Sequence, residues 1–571
     1  MPTVARNIVD TLVASGVKRV YGIPGDSLNG FTDALRVNPQ LEWVHVRHEE
    51  AASFAASGEA ALTGELAVCA GSCGPGNLHL INGLFDAQRS RVPVLAIAAQ
   101  IPSDEIGSNY FQETHPTELF RDCSVYVENV SSAEQMPRLL RIAMREAIEK
   151  RGVAVLVIPG DVGLADIDAA AEEVRAYPSH MIPADSQIEA AAKALNKGKK
   201  TTILAGAGTE GAYDELLAIA EKLQAPIVHT MRGKEFVEPD NPYDVGMTGL
   251  LGFSSGYAAL KDCDTLLMLG TDLPYQQFYP EDATVIQVDV RGSQIGRRTK
   301  VDIPLVGTVA DTVEALLPKI KANRSSTHLK SLTKHYQRTR KDLDELATPS
   351  KRTIHPQYLT RLLDEMADDD AVFIPDVGSP VVWAARYLTM NGKRRLIGSF
   401  SHGSMANALS QSVGVQSAFE DRQTIALAGD GGLAMLLGEL ITLTQNKLPV
   451  KTVVYNNSSL NFVELEMKAA GFVTFGTDLD NPDFSTIAEA VGIKGFRVEK
   501  SKDLPKVVKE FLAYPGPAVL DVVTERQELS MPPSITVEQA KGFALYAIRT
   551  VLSGKGDELI DLARTNIRQL F

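Results

Sequence analysis

Cysteine, positive charge and long apolar runs are all scarce in this chain. Its four cysteines, Cys69, Cys73, Cys123 and Cys263, show neither CxxC spacing nor a paired framework. A disulfide scaffold is therefore excluded, and buried free thiols in a reducing cytosol are the reading that remains. Lysine and arginine number 57 against 71 aspartates and glutamates, a net charge of −14. Sequence-independent nucleic-acid binding needs a basic surface to displace counterions, so that function class is disfavoured. No apolar run reaches about eighteen residues, the length a spanning helix needs. The opening MPTVARNIVDTLVASG carries charge and an amphipathic period where a signal peptide would have an unbroken apolar core, so neither a membrane span nor a signal peptide is expected. What is present is ordinary globular material: 571 residues, 44% hydrophobic and 22% charged, enough for three or four domains with large cores.

The stretch from Gln423 to Val463 carries the densest chemical signal. TIALAG reads as a buried parallel strand that stops at Asp430-Gly431-Gly432, and after a helical pattern VKTVVY reads as a second strand ending at Asn456-Asn457. A right-handed crossover brings the carboxyl ends of both strands to one sheet edge, where Asp430 and Asn457 face one site. Two oxygen ligands, with glycines that let a backbone approach, suit a Mg²⁺ ion holding a diphosphate, and a carbonyl near Ser459 can complete the set. A Gly-Asp-Gly turn explains the first motif by itself; the distant Asn pair is what favours the metal. A second candidate is Arg47-His48-Glu49-Glu50, where the strand LEWVHV yields to the small-residue helix AASFAASGEAAL. Acidic residues at a helix start also follow from the helix dipole alone.

GDG followed at this spacing by NN resembles the signature of thiamine-diphosphate enzymes, and RHEEAASFAA resembles the segment that supplies their catalytic glutamate. The resemblance implies three doubly wound α/β domains with parallel sheets: residues 1–181 binding the pyrimidine, 182–331 binding FAD and 332–527 binding the diphosphate. It implies Asp430, the Asn457 side chain and the Ser459 carbonyl as Mg²⁺ ligands, with Gly431 and Gly432 beside the cofactor. The cofactor loop continues through Ser458, Leu460, Asn461, Phe462 and Val463, and Phe462 is the residue that caps the site between thiamine and flavin. Glu49 is implied as the acid on ring nitrogen N1′, its pKa raised by burial. In GSFSHGSMANAL, Met405 is implied as the wedge under a bent thiamine and the Gly403 carbonyl as the group that positions its amino substituent, with Ser404 between them. The Gly-Pro-Gly loop at 72–76 approaches the thiamine. His79 reads more as a satisfied helix histidine than as a substrate contact, and Phe111-Gln112 reads either as pocket lining or as an exposed turn.

In the middle of the chain Gly206, Gly208 and Gly211 match GxGxxG, a weak signal; no acidic residue closes a clean second strand, so a classical NAD site is disfavoured. GMTGLLGFSSG, DTLLMLGTDLPYQ and TVIQVDV say more. Strand-end Thr271 and Asp289 can hydrogen-bond a dinucleotide while Gly249 admits its backbone, although ordinary sheet turns also account for the pattern. These segments resemble the FAD domain of the pyruvate oxidase and acetohydroxyacid synthase branch. The match implies FAD contacts at Thr248, Gly249, Leu250, Leu251, Thr271, Asp272, Leu273, Pro274, Tyr275 and Asp289.

Residues 528–571 form an appended tail. Leu559, Ile560, Ala563, Ile567 and Leu570 recur at three- and four-residue steps, a pattern for a helix that docks on its own protein or lies on a bilayer. QAKGFALYAIRTVLSGKGDELIDLARTN resembles the C-terminal region of bacterial pyruvate:quinone oxidoreductases. That resemblance implies decarboxylation of pyruvate to acetate and CO₂, electrons passing through FAD to ubiquinone, a cytoplasmic homotetramer with cofactors shared between subunits, and peripheral attachment of the tail to phospholipid on the inner face of the cell membrane. An acetolactate synthase-type carboligase, an oxygen- and phosphate-dependent pyruvate oxidase and a nucleotide-binding interaction module remain the alternatives.

Overall fold

Alternating apolar strands and helical stretches build three parallel sheets, one after another along the chain. The computed structural model describes residues 1–177, 179–528, 537–552, 559, 562, 563, 565 and 566. The first sheet contains β1 (Arg19–Gly22), β2 (Glu42–His45), β3 (Ala67–Gly71), β4 (Val94–Gln100), β5 (Tyr126–Asn129) and β6 (Val153–Pro159) in the order β2-β1-β3-β4-β6-β5. The second contains β7 (Thr201–Ala205), β8 (Ile227–His229), β9 (Asp244–Met247), β10 (Thr265–Leu269), β11 (Thr284–Asp289) and β12 (Ile303–Val306) in the order β12-β11-β10-β7-β8-β9. The third contains β13 (Val372–Pro375), β14 (Arg395–Leu396), β15 (Thr424–Gly429), β16 (Lys451–Asn456), β17 (Lys494–Val498) and β18 (Ala518–Val523) in the order β14-β13-β15-β16-β18-β17. Among the described residues every pair of strands is parallel, and β3, β4 and β6 are buried along their whole length. Helices on both faces explain why such strands are continuously apolar rather than alternating.

Two consequences of these orders position the site. In the middle sheet β7 and β10 are neighbours from which the chain winds outward in both directions, the arrangement of dinucleotide-binding sheets; its crevice opens beyond the carboxyl ends of those two strands. In the third sheet β15 and β16 pair with Gly429 opposite Tyr455, so the turns after them leave the same edge side by side. The first and third domains are joined by close helix packing. The Glu49–Thr63 helix of the first lies against the Asn407–Ala418 helix of the third. A Cβ on Gly414 would sit 1.9 Å from the Ala55 oxygen and one on Gly58 2.5 Å from the Gln411 oxygen. Small residues are what let the two backbones touch, and the pairing of 55 with 414 and 58 with 411 makes the helices antiparallel.

The charged segment near 330 forms a helix, Thr327–Leu346, that buries Leu329 and Leu332, with His328 reaching Thr202 Oγ at 3.1 Å. At the C-terminal end the Val537–Leu552 helix packs against the Asn461–Ala469 helix, burying Tyr546 while leaving Leu545, Ile548, Val551 and Leu552 exposed. Ile560, Ile567 and Leu570 of the expected amphipathic tail lie outside the described residues.

Candidate active site and cofactor cleft

Asp430 follows β15 directly and is 3% exposed. Its Oδ2 accepts from the N–H groups of Asn457 (3.1 Å) and Ser458 (2.7 Å) and from Asn481 Nδ2 (2.8 Å); Oδ1 accepts from the Gly431 N–H (2.8 Å). Burial pushes this carboxyl above its ordinary pKa, against the lowering effect of those donors. The Asn457 side-chain oxygen accepts from the Ser459 N–H at 3.0 Å, and Ser459 Oγ donates to Glu464 at 2.5 Å. Asp430 and Asn457 thus meet at one turn. Asp430 Oδ1 and Asn457 Oδ1 each keep an unused lone pair after their single bonds, which fits a hard dication. Gly432 abuts a second acid: a Cβ there would fall 1.7 Å from Asp376 Oδ2. Asp376 is fully buried, its pKa pushed up to about 7 by desolvation, although it accepts the Asn407 N–H at 3.1 Å. The Met405 methyl lies 3.5 Å from where a Cβ on Gly431 would be.

Glu49 is the first residue of its helix and is 8% exposed. His48 caps that helix in extended backbone, accepting the Glu50 N–H on Nδ1 at 3.2 Å. Glu49 Oε2 meets His79 Nδ1 at 2.9 Å, and Oε1 points at the Gly-Pro-Gly loop, 3.1 Å from where a Cβ on Gly76 would lie. The His48 and His79 rings stack at 4.3 Å. His79 is thus satisfied, as the sequence suggested, but by the candidate catalytic carboxylate itself. Phe111 is 78% exposed, and Gln112, at φ 63°, accepts a bond from Cys73 Sγ at 3.3 Å.

Within one chain Glu49 and the Asp430 turn stand at different ends of the antiparallel helix pair. Asn407 shares the Asp376 carboxylate that abuts Gly432, and it is separated from Glu49 by roughly 20 Å along the helix axis, thirteen residues at 1.5 Å each.

A cleft of about 1080 Å³ opens at the switch point of the middle sheet, with walls from all three domains. Thr248, Gly249, Leu250, Leu251, Thr271, Asp272, Leu273, Pro274, Tyr275 and Asp289 all line it, as do Gly378, Gly403 and Phe462 of the third domain. Asp430, Asn457, Met405 and Glu49 do not. The Thr248 hydroxyl is buried there with no hydrogen-bond partner, and Gly249 takes φ +96°. A large cleft with an orphaned hydroxyl and an open glycine backbone fits a dinucleotide. Gly208, by contrast, serves packing: a Cβ would lie 2.6 Å from Gly270 Cα.

Several lining groups escaped sequence reading. Arg91, from the far end of the Pro75–Ser90 helix, bonds Asp272 at 2.9 Å, and half-buried Arg232 has its pKa lowered to about 10 by desolvation, with Arg91 adding to the effect. Both supply positive charge to the cleft. Asn481 reaches Asp430 from fifty-one residues away. None sits in a local motif, so only their meeting in space marks them.

Comparison with known proteins gives the same division. Models for the thiamine pyrophosphate enzyme N-terminal TPP binding domain, central domain and C-terminal TPP binding domain match residues 2–119, 188–316 and 376–522. A putative thiamine pyrophosphate-containing protein, YdaP, of Bacillus subtilis is 37% identical over 574 aligned positions, covering 100% of this chain and 99% of that protein. An uncharacterized 42.6 kDa protein of Pseudomonas amyloderamosa is 58% identical over 356 residues, 62% of this chain and 90% of that one. The pyruvate oxidase of Lactiplantibacillus plantarum is 29% identical over 528 residues, 90% of this chain and 87% of that one. Acetolactate synthases are also among the relatives. The chain therefore belongs to the thiamine pyrophosphate enzyme family.

Proposed function

We propose that this protein decarboxylates pyruvate to acetate and CO₂ and passes the two electrons released through FAD to ubiquinone. The observation that carries the reading is the cleft: a dinucleotide-sized space whose lining includes Gly378, Gly403 and Phe462 of the third domain. Thiamine diphosphate, when bound, supplies a nucleophilic carbon and an electron sink for the decarboxylation, and FAD supplies a two-electron acceptor. The chain's own groups then have distinct tasks. Asp430, Asn457 and Ser459 hold Mg²⁺ and through it the diphosphate. Glu49 Oε1, free of the His79 contact, is available to exchange a proton with the cofactor ring, and His79 fixes the carboxylate that does so. Met405 and Gly403 would shape the bound cofactor, and Phe462, which lines the cleft, would cap it. Overall, pyruvate and water become acetate and CO₂, and two electrons with two protons reach the quinone.

The separation of Glu49 from the Asp430 turn within a chain supports cofactors shared between two chains, hence at least a dimer and, on the family's pattern, a tetramer. Exposed Leu545, Ile548, Val551 and Leu552 on the last helix described support contact of the tail with phospholipid. The deciding experiment is to supply purified full-length protein with thiamine diphosphate, Mg²⁺, FAD and pyruvate, with and without ubiquinone, and to identify the carbon product. Acetate formed in step with quinone reduction is expected. Acetolactate as the main product would overturn the reading in favour of a carboligase, and acetyl phosphate formed with oxygen and phosphate would overturn it in favour of an oxidase.

A further inference from the structure

The turn 399–406, which holds Gly403 and Met405, has no regular secondary structure, so its shape depends on what anchors it. One anchor comes from another domain. Asn82, on the Pro75–Ser90 helix, has its side-chain amide fully engaged: Nδ2 donates to Glu50 Oε1 at 2.7 Å and to Ser404 Oγ at 2.9 Å, and Oδ1 is 2.8 Å from His402 Nε2. An amide oxygen only accepts, so His402 Nε2 carries a proton, and partial burial lowers the pKa of its imidazole. The ring is stacked on Phe85 at 5.6 Å and 10°. Ser404 Oγ donates a hydrogen bond to the Met405 carbonyl at 2.9 Å, while the Ser404 and Gly403 N–H groups both donate to Ser399, on its Oγ and its carbonyl oxygen. The residues on either side of Gly403 are therefore bonded to one amide that the turn does not itself supply.

We infer that Asn82 is a positioning residue that fixes the direction of the Gly403 carbonyl, and that its third bond, to Glu50, ties that carbonyl to the first domain. Gly403 takes φ +81°, a conformation a short unanchored loop leaves readily, so the clamp confines what the glycine alone would leave free. The inference rests on the reading of Gly403 as a thiamine contact, and its test separates the two.

The test uses Asn82→Ala, Asn82→Asp and His402→Ala in the full-length protein. In the cofactor-free state, amide hydrogen exchange of residues 399–405 is expected to speed up at least about tenfold in Asn82→Ala while β15 keeps its protection. With cofactors, about a 10- to 100-fold loss in kcat is expected with KM for pyruvate within about twofold, as for other groups that orient a binding residue. Asn82→Asp places a carboxylate beside Glu50, whose charge raises the new acid's pKa, and activity is expected to recover as pH is lowered, because the protonated acid can again donate to Ser404. A role in packing alone would not move with pH. His402→Ala loses one bond of the three and is expected to show a smaller change in the same exchange window, which also serves if Asn82→Ala is not recovered folded. Unchanged exchange at 399–405 with unchanged kcat, or accelerated exchange spread over the whole first domain, overturns the clamp. Failure of the unaltered protein to bind thiamine diphosphate by calorimetry overturns the functional reading instead, and leaves the exchange result to decide the clamp.

Discussion

The first and third domains share one strand order and yet hold different chemistry at matching places. In each, the connection after the second strand leads to a helix, and the two helices pack together. In the first domain that connection is three residues long, Val46 to His48, and delivers Glu49 at the helix start. In the third it runs ten residues, from Ile397 to Ala406, and carries Gly403 and Met405 on an irregular turn. After the third strand the first domain has the Gly-Pro-Gly loop at 74–76, and the third domain has Asp430-Gly431-Gly432. The fold therefore fixes where a residue leaves the sheet, and connection length and side-chain identity decide whether that address offers a proton, a metal ligand or only backbone.

The comparison is broken most severely at its acid. Glu49→Gln should lower turnover about 10³-fold while thiamine diphosphate still binds, since it removes proton transfer and little else; steady-state kinetics beside calorimetry reads both. Its counterpart, Asp430→Asn, should fail the other way, weakening Mg²⁺–thiamine diphosphate affinity by about 100-fold or more, read by cofactor titration. Gly414→Ala tests the helix pair between the domains. Its methyl would meet the Ala55 carbonyl oxygen at 1.9 Å, and overpacking of that kind costs about 1–3 kcal/mol, visible as a lower Tm. The smallest expected effect is on pH dependence. Glu439 accepts the Arg47 N–H at 3.1 Å across the domain boundary, and burial pushes its pKa from 4.5 up to about 7. Between those values the folded state holds a proton that the unfolded state has lost, so its contribution to stability falls as pH rises through that window and is level above it. Glu439→Gln should flatten that slope in denaturant melts run from pH 5 to pH 8.

Much of the fold could be read directly. TIALAG and VKTVVY are strands β15 and β16, and their neighbouring register puts the Asp430 carboxylate within hydrogen-bond distance of the Asn457 N–H. Continuous apolar runs between glycine turns leave a buried parallel strand as the only economical use of those residues. The flavin-type residues came from three separate strand ends, and those ends line one cleft because all strands of a parallel sheet finish on the same edge. Asn82, Asp376, Asn481 and Arg91 were not legible. Each is a common polar residue in an unremarkable helix or loop, and what distinguishes it is a partner 31 to 322 residues away: Ser404 for Asn82, Asp430 for Asn481, Asp272 for Arg91 and Asn407 for Asp376.

Sequence alone determined the elements, the parallel sheets, the strand-end motifs and the family resemblance, because periodicity and turn chemistry are local properties of a chain. Only the tertiary structure decided that His79 belongs to Glu49, that one amide from the first domain grips both flanks of Gly403, and that the helices starting at Glu49 and Asn407 pack antiparallel. Those are matters of how the glycine-lined helices of two domains pack, and packing is set by complementary surfaces that no single stretch of sequence contains.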